Sequence, residues 1–240
     1  MKAVVLSAGL GTRLKPLTNN LPKALVKIGN QTLLERAVRY LQKFGIDEFV
    51  INIHHFGGQI MDFLEVNQNL GVKIHISDER DQLLDTGGGL VAMEEWLNDE
   101  TFVIYNVDVL TEMDLQAMMN FHYLCGALAT LAVSNRQSGR FLLFDDRHQL
   151  KGWLNTRTGE KRIMSESNDV LQPLAFSGIH IVEPEIFHFK PVDKVFSIID
   201  WYLELAKYHQ ICGYDHTGSF WLDAGKLSVI EEATQYIGEF

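Results

Sequence analysis

The sequence predicts an α/β fold in which a mostly parallel, Rossmann-like sheet is flanked by helices. Strand-like and helix-like segments alternate from the first residue to about residue 105, and this alternation is typical of right-handed βαβ units with a parallel sheet. Beyond that point the pattern is less regular, so a smaller β region is expected in the second half. We predict a single domain over residues 1–240, with two halves that meet near residue 120.

The first half contains four predicted strands and three predicted helices. Its strongest local signal is Thr32 followed by Glu35, a capping box that opens a helix; apolar residues then recur at helical spacing up to Gly45, which fits a helix stop. Because ligands bind beyond the carboxyl ends of parallel strands, the loops after these strands are the expected site. The predicted strands cover 3–7, 49–53, 72–76 and 102–105, and the helices 33–44, 59–66 and 88–97.

The second half is predicted to be richer in β structure. A hairpin over 140–155 should turn at residues 145–147, where Asp145 and Asp146 stand, and the polar segment 155–172 is expected to be loop-rich. The remaining predicted elements are strands over 127–134 and 176–182 and a helix over 195–208.

Composition excludes several function classes. Hydrophobic residues make up 46% of the chain and charged residues 22%, which is ordinary for a globular protein. The net charge of −10 argues against nucleic acid or an anionic membrane as a partner. Cys125 and Cys212 lie in mixed apolar stretches, which favours buried free thiols in a reducing compartment. The apolar run at residues 3–6 is too short for a signal peptide and no run would span a membrane, so we expect a cytoplasmic protein.

A glycine-rich loop, Ser7 to Arg13, follows the first strand. Glycine lets the backbone approach a phosphate closely and point N–H groups at it. A dinucleotide fingerprint would need glycine at Leu14, and a P-loop would need Gly-Lys-Ser/Thr where Leu14-Lys15-Pro16 stands, so both are excluded. The alternative to a phosphate-binding loop is a plain glycine turn.

Two cations accompany this loop. Arg13 follows its glycines, and Lys23 lies in a segment that Pro16 and Pro22 stiffen. We interpret Arg13 and Lys23 as clamps on a triphosphate, the alternative being two solvated surface cations.

The run from Leu6 to Leu25 resembles the signature of the sugar-1-phosphate nucleotidyltransferases. The resemblance implies a nucleotide-diphospho-sugar transferase fold and a reaction that joins a nucleoside triphosphate to a sugar 1-phosphate and releases pyrophosphate. It assigns residues 1–120 to the nucleotide and 121–240 to the acceptor. It also implies that Arg13 contacts the β- and γ-phosphates and Lys23 the phosphates around the reacting centre. The implied nucleotide-binding residues are Leu6, Ala8, Gly9, Gly11, Thr12, Arg13, Thr86, Gly87 and Gly88.

Two aspartates are candidate ligands for Mg²⁺, which prefers one or two carboxylates with water and phosphate oxygens in its other positions. Asp108 follows the fourth strand, where the family usually has Gly-Asp and this chain has Val107 before the aspartate. Asp223 lies in a segment that resembles the family's Trp-x-Asp-x-Gly, followed here by Lys226 where threonine is common. The resemblance makes both aspartates metal ligands; the alternative is that each caps the next helix.

Candidate contacts to the base and sugar lie further along the chain. Leu83 to Gly89 opens a helix whose free N–H groups could hold an anion or a carbonyl, the alternative being a capped helix start at Asp85 or Thr86. The resemblance also implies that Asn106, Ser177 and Gly178 contact the sugar. The family's Glu-Lys-Pro motif is missing, and the cations that could replace it are Lys151, Lys161 and Arg162.

Among the members of the family, the chain looks most similar to the N-acetylmuramate-1-phosphate uridylyltransferases, on its Thr-Gly-Gly-Gly segment and its length. Short guanylyltransferases for mannose or heptose 1-phosphate and phosphocholine cytidylyltransferases are alternatives. A fourth alternative is a non-catalytic regulatory subunit that binds sugar nucleotides, which Val107 and Lys226 favour. The sequence defines neither the base, nor the sugar phosphate, nor the oligomeric state.

Overall fold

The fold is described from a computed structural model, which defines residues 1–164, 170–230 and 233. The chain divides into two compact units that are interleaved in sequence. Unit 1 comprises Met1–Leu84, Ile104–Glu112 and Phe220–Phe240, and unit 2 comprises Asp85–Val103 and Met113–Ser219.

Unit 1 is built on a parallel sheet. Strand β1 (Lys2–Leu6) pairs in parallel with β4 (Glu48–Ile53), from Lys2 opposite Glu48 to Leu6 opposite Asn52, and β4 pairs in parallel with β5 (Lys73–Asp78). The carboxyl-terminal part of β6 (Phe102–Asn106) lies on the other side of β1. The elements of unit 1 are β1 (Lys2–Leu6), β2 (Lys27–Ile28), β3 (Gln31–Thr32), α1 (Leu33–Gln42), β4 (Glu48–Ile53), α2 (Gly57–Val66), β5 (Lys73–Asp78), the end of β6 (Phe102–Asn106), β7 (Val109–Thr111) and β14 (Trp221–Asp223), with short 3₁₀ turns at Thr12–Leu14, Lys23–Leu25 and Gln68–Gly71.

The predicted capping box of α1 is confirmed. The Thr32 hydroxyl accepts a hydrogen bond from the Glu35 N–H at 3.1 Å, and the Glu35 carboxylate accepts one from the Thr32 N–H at 2.7 Å. The helix ends at Gln42, two residues before the predicted end, and Gly45 follows with a φ of 77°. The first turn of α1 therefore satisfies its N–H groups locally, as the sequence indicates.

Unit 2 combines antiparallel strands with helices. Strands β9 (Arg140–Phe144), β10 (Leu150–Asn155) and β11 (Lys161–Ile163) pair antiparallel in chain order. Strand β12 (Gln172–Val182) pairs antiparallel with β8 (Ala129–Ser134) and β9, and β13 (Ile211–Asp215) pairs in parallel with β8. The elements are α3 (Asp85–Ala92), α4 (Glu94–Leu97), the start of β6, α5 (Leu115–Cys125), β8 (Ala129–Ser134), β9 (Arg140–Phe144), β10 (Leu150–Asn155), β11 (Lys161–Ile163), β12 (Gln172–Val182), a 3₁₀ segment (Pro184–Phe189), α6 (Ile198–Leu205) and β13 (Ile211–Asp215).

Most predicted elements of unit 2 are present, with corrections at their bounds. The hairpin of β9 and β10 is confirmed, and Asp145 makes its turn by accepting hydrogen bonds from the N–H groups of Arg147 and Gln149. The segment expected to be loop contains β11, because residues 161–163 find backbone partners on β10; its residues 165–169 lie outside the described residues. The single helix predicted over 88–97 is two helices, since Met93 leaves the helical conformation between them.

The fold class predicted from the sequence, a mostly parallel α/β sheet flanked by helices with an additional β region, is confirmed. Both cysteines are free thiols; Cys212 is buried, whereas Cys125 is partly exposed, contrary to the prediction that both are buried. Among the described residues, no helix is both long and apolar enough to cross a membrane.

Candidate active site

The glycine-rich loop is hydrogen-bonded to strand β4 on its inner side and exposed to solvent on its outer side. The N–H groups of Ser7 and Ala8 both donate to the Asn52 side-chain oxygen, at 2.7 and 3.4 Å. Gly11 has a φ of 64°, a conformation that favours glycine, and an added Cβ would lie 3.0 Å from Thr18. A Cβ at Gly9 would meet nothing within 4 Å. The loop thus presents an exposed outer face, on which Gly9, Thr12 and Arg13 lie, for a ligand.

A buried polar network supports this loop, and the sequence reading missed it. The amide nitrogen of Asn52 donates to the Glu79 carboxylate at 2.8 Å, and the other oxygen of that carboxylate accepts from the Leu84 N–H at 3.1 Å. Asn52 and Glu79 are only 4% and 3% exposed. Polar side chains buried this deeply must be hydrogen-bonded, so they fix the loop's position. The available signal was Asn52 itself, a polar residue inside the apolar strand β4.

Unit 1 brings the four predicted catalytic side chains together. Lys23 begins a 3₁₀ turn after Pro22 and forms a close ion pair with Asp108. Arg13 lies 3.5 Å from an oxygen of Asp223 and 4.0 Å from one of Asp108. The two aspartates meet because β7 pairs antiparallel with β14, with Asp223 opposite Val109. Asp108 does not cap the next helix, since the N-cap of α5 is Asp114.

The electrostatics of the two carboxyl groups differ although they are within hydrogen-bonding reach of each other. Burial raises the pKa of Asp108, against the opposing effect of the Lys23 ammonium. Burial also raises the pKa of Asp223, but the Gly225 N–H bond, the Asp108 carboxyl group and the Arg13 and Lys23 charges outweigh it and hold that pKa below its usual range. Neighbouring carboxylates resist ionising together, so one proton or one cation between them is favoured.

The surroundings of the aspartates fit a small divalent cation. A Cβ on Gly225 would lie 2.5 Å from an oxygen of Asp108 and 2.7 Å from one of Asp223, so both oxygens face the space that glycine leaves. Among residues 1–164, 170–230 and 233, no group of three or more His, Cys, Asp or Glu side chains could hold a metal. A pair of carboxylates with room for water and phosphate oxygens is the donor set that Mg²⁺ prefers.

The Thr86–Gly88 segment of unit 2 is bound within its own unit. The N–H groups of Gly87 and Gly88 donate to the Phe196 carbonyl at 2.9 and 3.4 Å, and the Thr86 hydroxyl accepts from the Ile198 N–H at 3.0 Å. An added Cβ at Gly87 would lie 2.3 Å from the Phe196 ring. The N–H groups expected to be free for a ligand are therefore occupied in this structure, and the nucleotide contact of this segment stays a prediction.

The residues assigned to the sugar lie in both units. Asn106 ends β6 in unit 1 and is half-buried. Ser177 is fully buried in β12 of unit 2, and Gly178 beside it has a φ of 76°.

The three cations considered for the sugar phosphate differ in their partners. The Lys151 ammonium lies 3.4 Å from Asp145. The Arg162 guanidinium pairs with Asp200 at 2.7 Å and with Glu160 at 3.0 Å. Lys161 lies exposed on β11.

Known proteins are similar to this chain over most of its length. Residues 2–141 match the family model described as nucleotidyl transferase. The N-acetylmuramate α-1-phosphate uridylyltransferase of Caulobacter vibrioides is 30% identical over 229 residues, which cover 93% of this chain and 91% of that protein. The enzyme of the same name from Neisseria meningitidis serogroup B is 29% identical over 238 residues, which cover 99% of both chains.

Solved structures share the fold at lower sequence identity. A UDP-glucose pyrophosphorylase complexed with UDP-glucose superposes with a TM-score of 0.79 at 18% identity, covering 99% of this chain and 98% of that one. HddC from Yersinia pseudotuberculosis superposes with a TM-score of 0.78 at 20% identity, covering 98% and 99%. With the family match over more than half of its residues and a 30% identical relative along most of its length, the chain belongs to the sugar-1-phosphate nucleotidyltransferases.

Proposed function

We propose that the chain transfers a uridylyl group from UTP to N-acetylmuramate 1-phosphate and releases pyrophosphate. The observation that carries the chemistry is the cluster of Arg13, Lys23, Asp108 and Asp223 in unit 1. The substrate assignment has separate support. Two relatives that match nearly the full chain, at 30% and 29% identity, bear this activity in their names. A probable glucose-1-phosphate cytidylyltransferase of Bacillus subtilis covers 92% of the chain at 27% identity, and a rice protein named as a probable mannose-1-phosphate guanylyltransferase, at 35% identity, covers only 56%.

The reaction requires neutralisation of charge and no protein nucleophile. An oxygen of the sugar phosphate, already an anion, attacks the α-phosphorus of the triphosphate; the bond to the β-phosphate breaks, and pyrophosphate leaves. Lys23, whose side chain is 14% exposed, is held by Asp108 and would stabilise negative charge near the α-phosphate. Arg13, whose side chain is 57% exposed, would reach outward to the β- and γ-phosphates.

Asp108 and Asp223 would hold Mg²⁺. The ion, when bound, supplies Lewis-acid neutralisation of the phosphate oxygens. The two aspartates contribute a fixed pair of oxygen donors, oriented by the β7–β14 pairing and by the Gly225 N–H that donates to Asp223 at 2.9 Å. Preorganised donors of this kind cost no rearrangement at the moment of reaction.

The two departures from the family pattern do not favour a regulatory subunit. Val107 is 1% exposed and its N–H donates to the Leu6 carbonyl, so its side chain packs in the core. Lys226 is exposed and directly follows Gly225, beside which the oxygens of both aspartates lie. Both substitutions leave the charged cluster intact, which supports a catalytic role.

A substrate grid tests the proposal. UTP, GTP, CTP and dTTP are each combined with the 1-phosphates of N-acetylmuramate, mannose, heptose and glucose and with phosphocholine, and pyrophosphate release is measured with Mg²⁺. We expect UTP with N-acetylmuramate 1-phosphate to exceed every other pair in kcat/KM by about tenfold or more. A higher value for GTP with mannose or heptose 1-phosphate, or for CTP with phosphocholine, would assign the alternative substrates. No release with any pair would favour the regulatory subunit.

A further inference from the structure

Polar side chains gather at the carboxyl ends of two parallel strands in unit 2. Strands β8 and β13 run in parallel, with Val133 opposite Asp215. Ser134 is the last residue of β8 and His216 directly follows β13, and the His216 N–H donates to the Val133 carbonyl at 2.9 Å. The carboxyl ends of parallel strands are where α/β proteins place ligands.

A β-bulge in the neighbouring strand turns a third polar side chain toward this place. Strand β12 pairs antiparallel with β8, but its register shifts between Phe176 and His180, and Gly178 within the bulge has a φ of 76°. Ser177 is fully buried, and its Oγ lies 2.7 Å from Nε2 of His216. Bulges change the direction of side chains and are common beside active sites, so this bulge is a candidate for orienting residues toward a ligand.

A second side chain bonds the backbone at the start of the same bulge. Arg136 follows β8 by two residues, and its guanidinium donates to the Phe176 carbonyl at 2.6 Å. We call Arg136 and His216 the bulge clamp, because one fixes the backbone before Ser177 and the other fixes the Ser177 side chain. Both side chains come from the ligand-facing ends of the β8–β13 pair.

His216 is not explained as an ordinary core residue. It is 5% exposed, and within the described residues Nδ1 of His216 and Oγ of Ser134 make no hydrogen bond. A buried polar atom without a partner costs about 1–3 kcal/mol, so an apolar side chain of similar size would serve packing better. Through Nε2 the His216 ring bonds the Ser177 hydroxyl.

We infer that His216 is a positioning residue for the acceptor: through Ser177 it fixes the bulge at Ser177 and Gly178, on which the sugar of the acceptor substrate binds. The inference rests on the proposed function and on the family resemblance, which assigns Ser177 and Gly178 to the sugar. His216 touches no reacting atom in this scheme and exchanges no proton. Its substitution therefore acts on acceptor affinity and leaves the nucleotide affinity unchanged.

Two isosteric substitutions separate positioning from packing. In His216→Gln the amide nitrogen stands where Nε2 stands and can bond Ser177, whereas the shorter side chain of His216→Asn cannot reach it. We expect His216→Asn to raise the KM for the sugar 1-phosphate about tenfold, with the KM for the triphosphate within about twofold of wild type. His216→Gln should stay within about threefold in both constants. His188→Asn, on an exposed histidine, is the matched control.

A second variant keeps the test decisive if His216→Asn folds poorly. Ser177→Ala removes the other half of the bond and should raise the acceptor KM similarly, and the double variant should be little worse than either single, because both changes remove one contact. Parallel rises in both KM values, equal behaviour of the Gln and Asn variants, or an unchanged acceptor KM would overturn the inference.

If the wild type releases no pyrophosphate with any pair, the proposed function fails. The clamp is then judged by calorimetric binding of UDP-N-acetylmuramate against UTP, where a selective loss in His216→Asn supports it and its absence overturns it.

Discussion

Asp108 and Asp223 share one site although they are distant in sequence. The antiparallel pairing of β7 with β14 brings them together, and the Ala224 N–H donates to the Asp108 carbonyl at 2.8 Å, which ties the two loops directly. Each carboxyl group also has its own cation, Lys23 for Asp108 and Arg13 for Asp223. These cations compensate the negative charge of the two carboxylates.

Removal of either carboxylate charge should abolish most activity. We expect Asp108→Asn and Asp223→Asn each to lower kcat/KM by about a hundredfold or more. The double variant should be little less active than the less active single variant, because the two carboxylates act as one unit. Pyrophosphate release across a Mg²⁺ titration measures this, and excess EDTA should stop the wild-type reaction. Asp146→Asn, in the exposed hairpin turn, is the matched control. Full activity in EDTA, or additive losses, would contradict a shared metal site.

Gly225 provides the second prediction at this scale. In Gly225→Ala the new methyl group would lie 2.5 Å from Asp108 and 2.7 Å from Asp223, closer than real contacts allow, so at least one carboxylate must move. We expect a rise of about tenfold or more in the Mg²⁺ concentration for half-maximal rate, with the fold retained. Gly58→Ala is the control, because a Cβ there meets nothing within 4 Å. Equal metal dependence of the two variants would show that the carboxylates do not face this space.

At the scale of elements, the start of α3 is fixed by the segment that precedes α6. The Phe196 carbonyl accepts from Gly87 and Gly88, and the Thr86 hydroxyl accepts from Ile198. Gly87→Ala should therefore destabilise the protein by about 1–3 kcal/mol through overpacking. Urea unfolding measures the loss, and Phe196→Ala in the same chain should restore part of it by removing the ring. An unchanged free energy of unfolding in Gly87→Ala would mean that the segment around Phe196 moves away from the new methyl group at little cost.

Sequence patterns between neighbouring residues predicted most helices and strands. Where the structure differs from the prediction, the cause is a partner that is distant in sequence. The capping box of α1 needs only Thr32 and Glu35, which are neighbours, so the sequence reveals it. Strand β11 has only three residues and two of them are charged, so it depends on its pairing with β10. The occupation of the Gly87 N–H by the Phe196 carbonyl could not be predicted, since nothing near Gly87 indicates its distant partner.

At the scale of the whole molecule, the motif predicted which charged residues meet, because strand order brings loop residues to one edge of a parallel sheet. It did not predict the polar groups beneath them. Asn52 and Glu79 each stand alone in the sequence and acquire their roles only through burial. The bond between His216 and Ser177 likewise depends on a register shift in β12 that no local pattern announces.

The buried histidines make the stability of the whole molecule depend on pH. His180 is 1% exposed, its Nδ1 lies 2.9 Å from the Tyr202 hydroxyl, and burial lowers its pKa from 6.5 to about 3. Burial also lowers the pKa of His122 and His216. Between the pKa of about 3 that His180 has in the folded protein and its ordinary pKa of 6.5, the unfolded chain binds a proton that the folded chain does not. The stability that neutral His180 contributes is therefore fully present above about pH 6.5 and is lost as the pH falls toward 3.

The contribution of His180 can be isolated with His180→Asn, whose side-chain amide stands near the position of Nδ1 and keeps a polar partner for Tyr202 but does not titrate. We measure the free energy of unfolding in urea at several pH values from 7.5 to about 4.5 for both proteins. Carboxyl groups affect the two alike, so the difference between the proteins reports His180 alone. Below about pH 6.5 the free energy of unfolding of the wild type should fall relative to that of the variant by about 1.4 kcal/mol per pH unit. The accumulated change should be about 2–3 kcal/mol by pH 4.5. A constant difference across this range would mean that His180 accepts a proton in the folded protein as readily as in the unfolded chain, and that its burial between β12 and α6 does not control its charge.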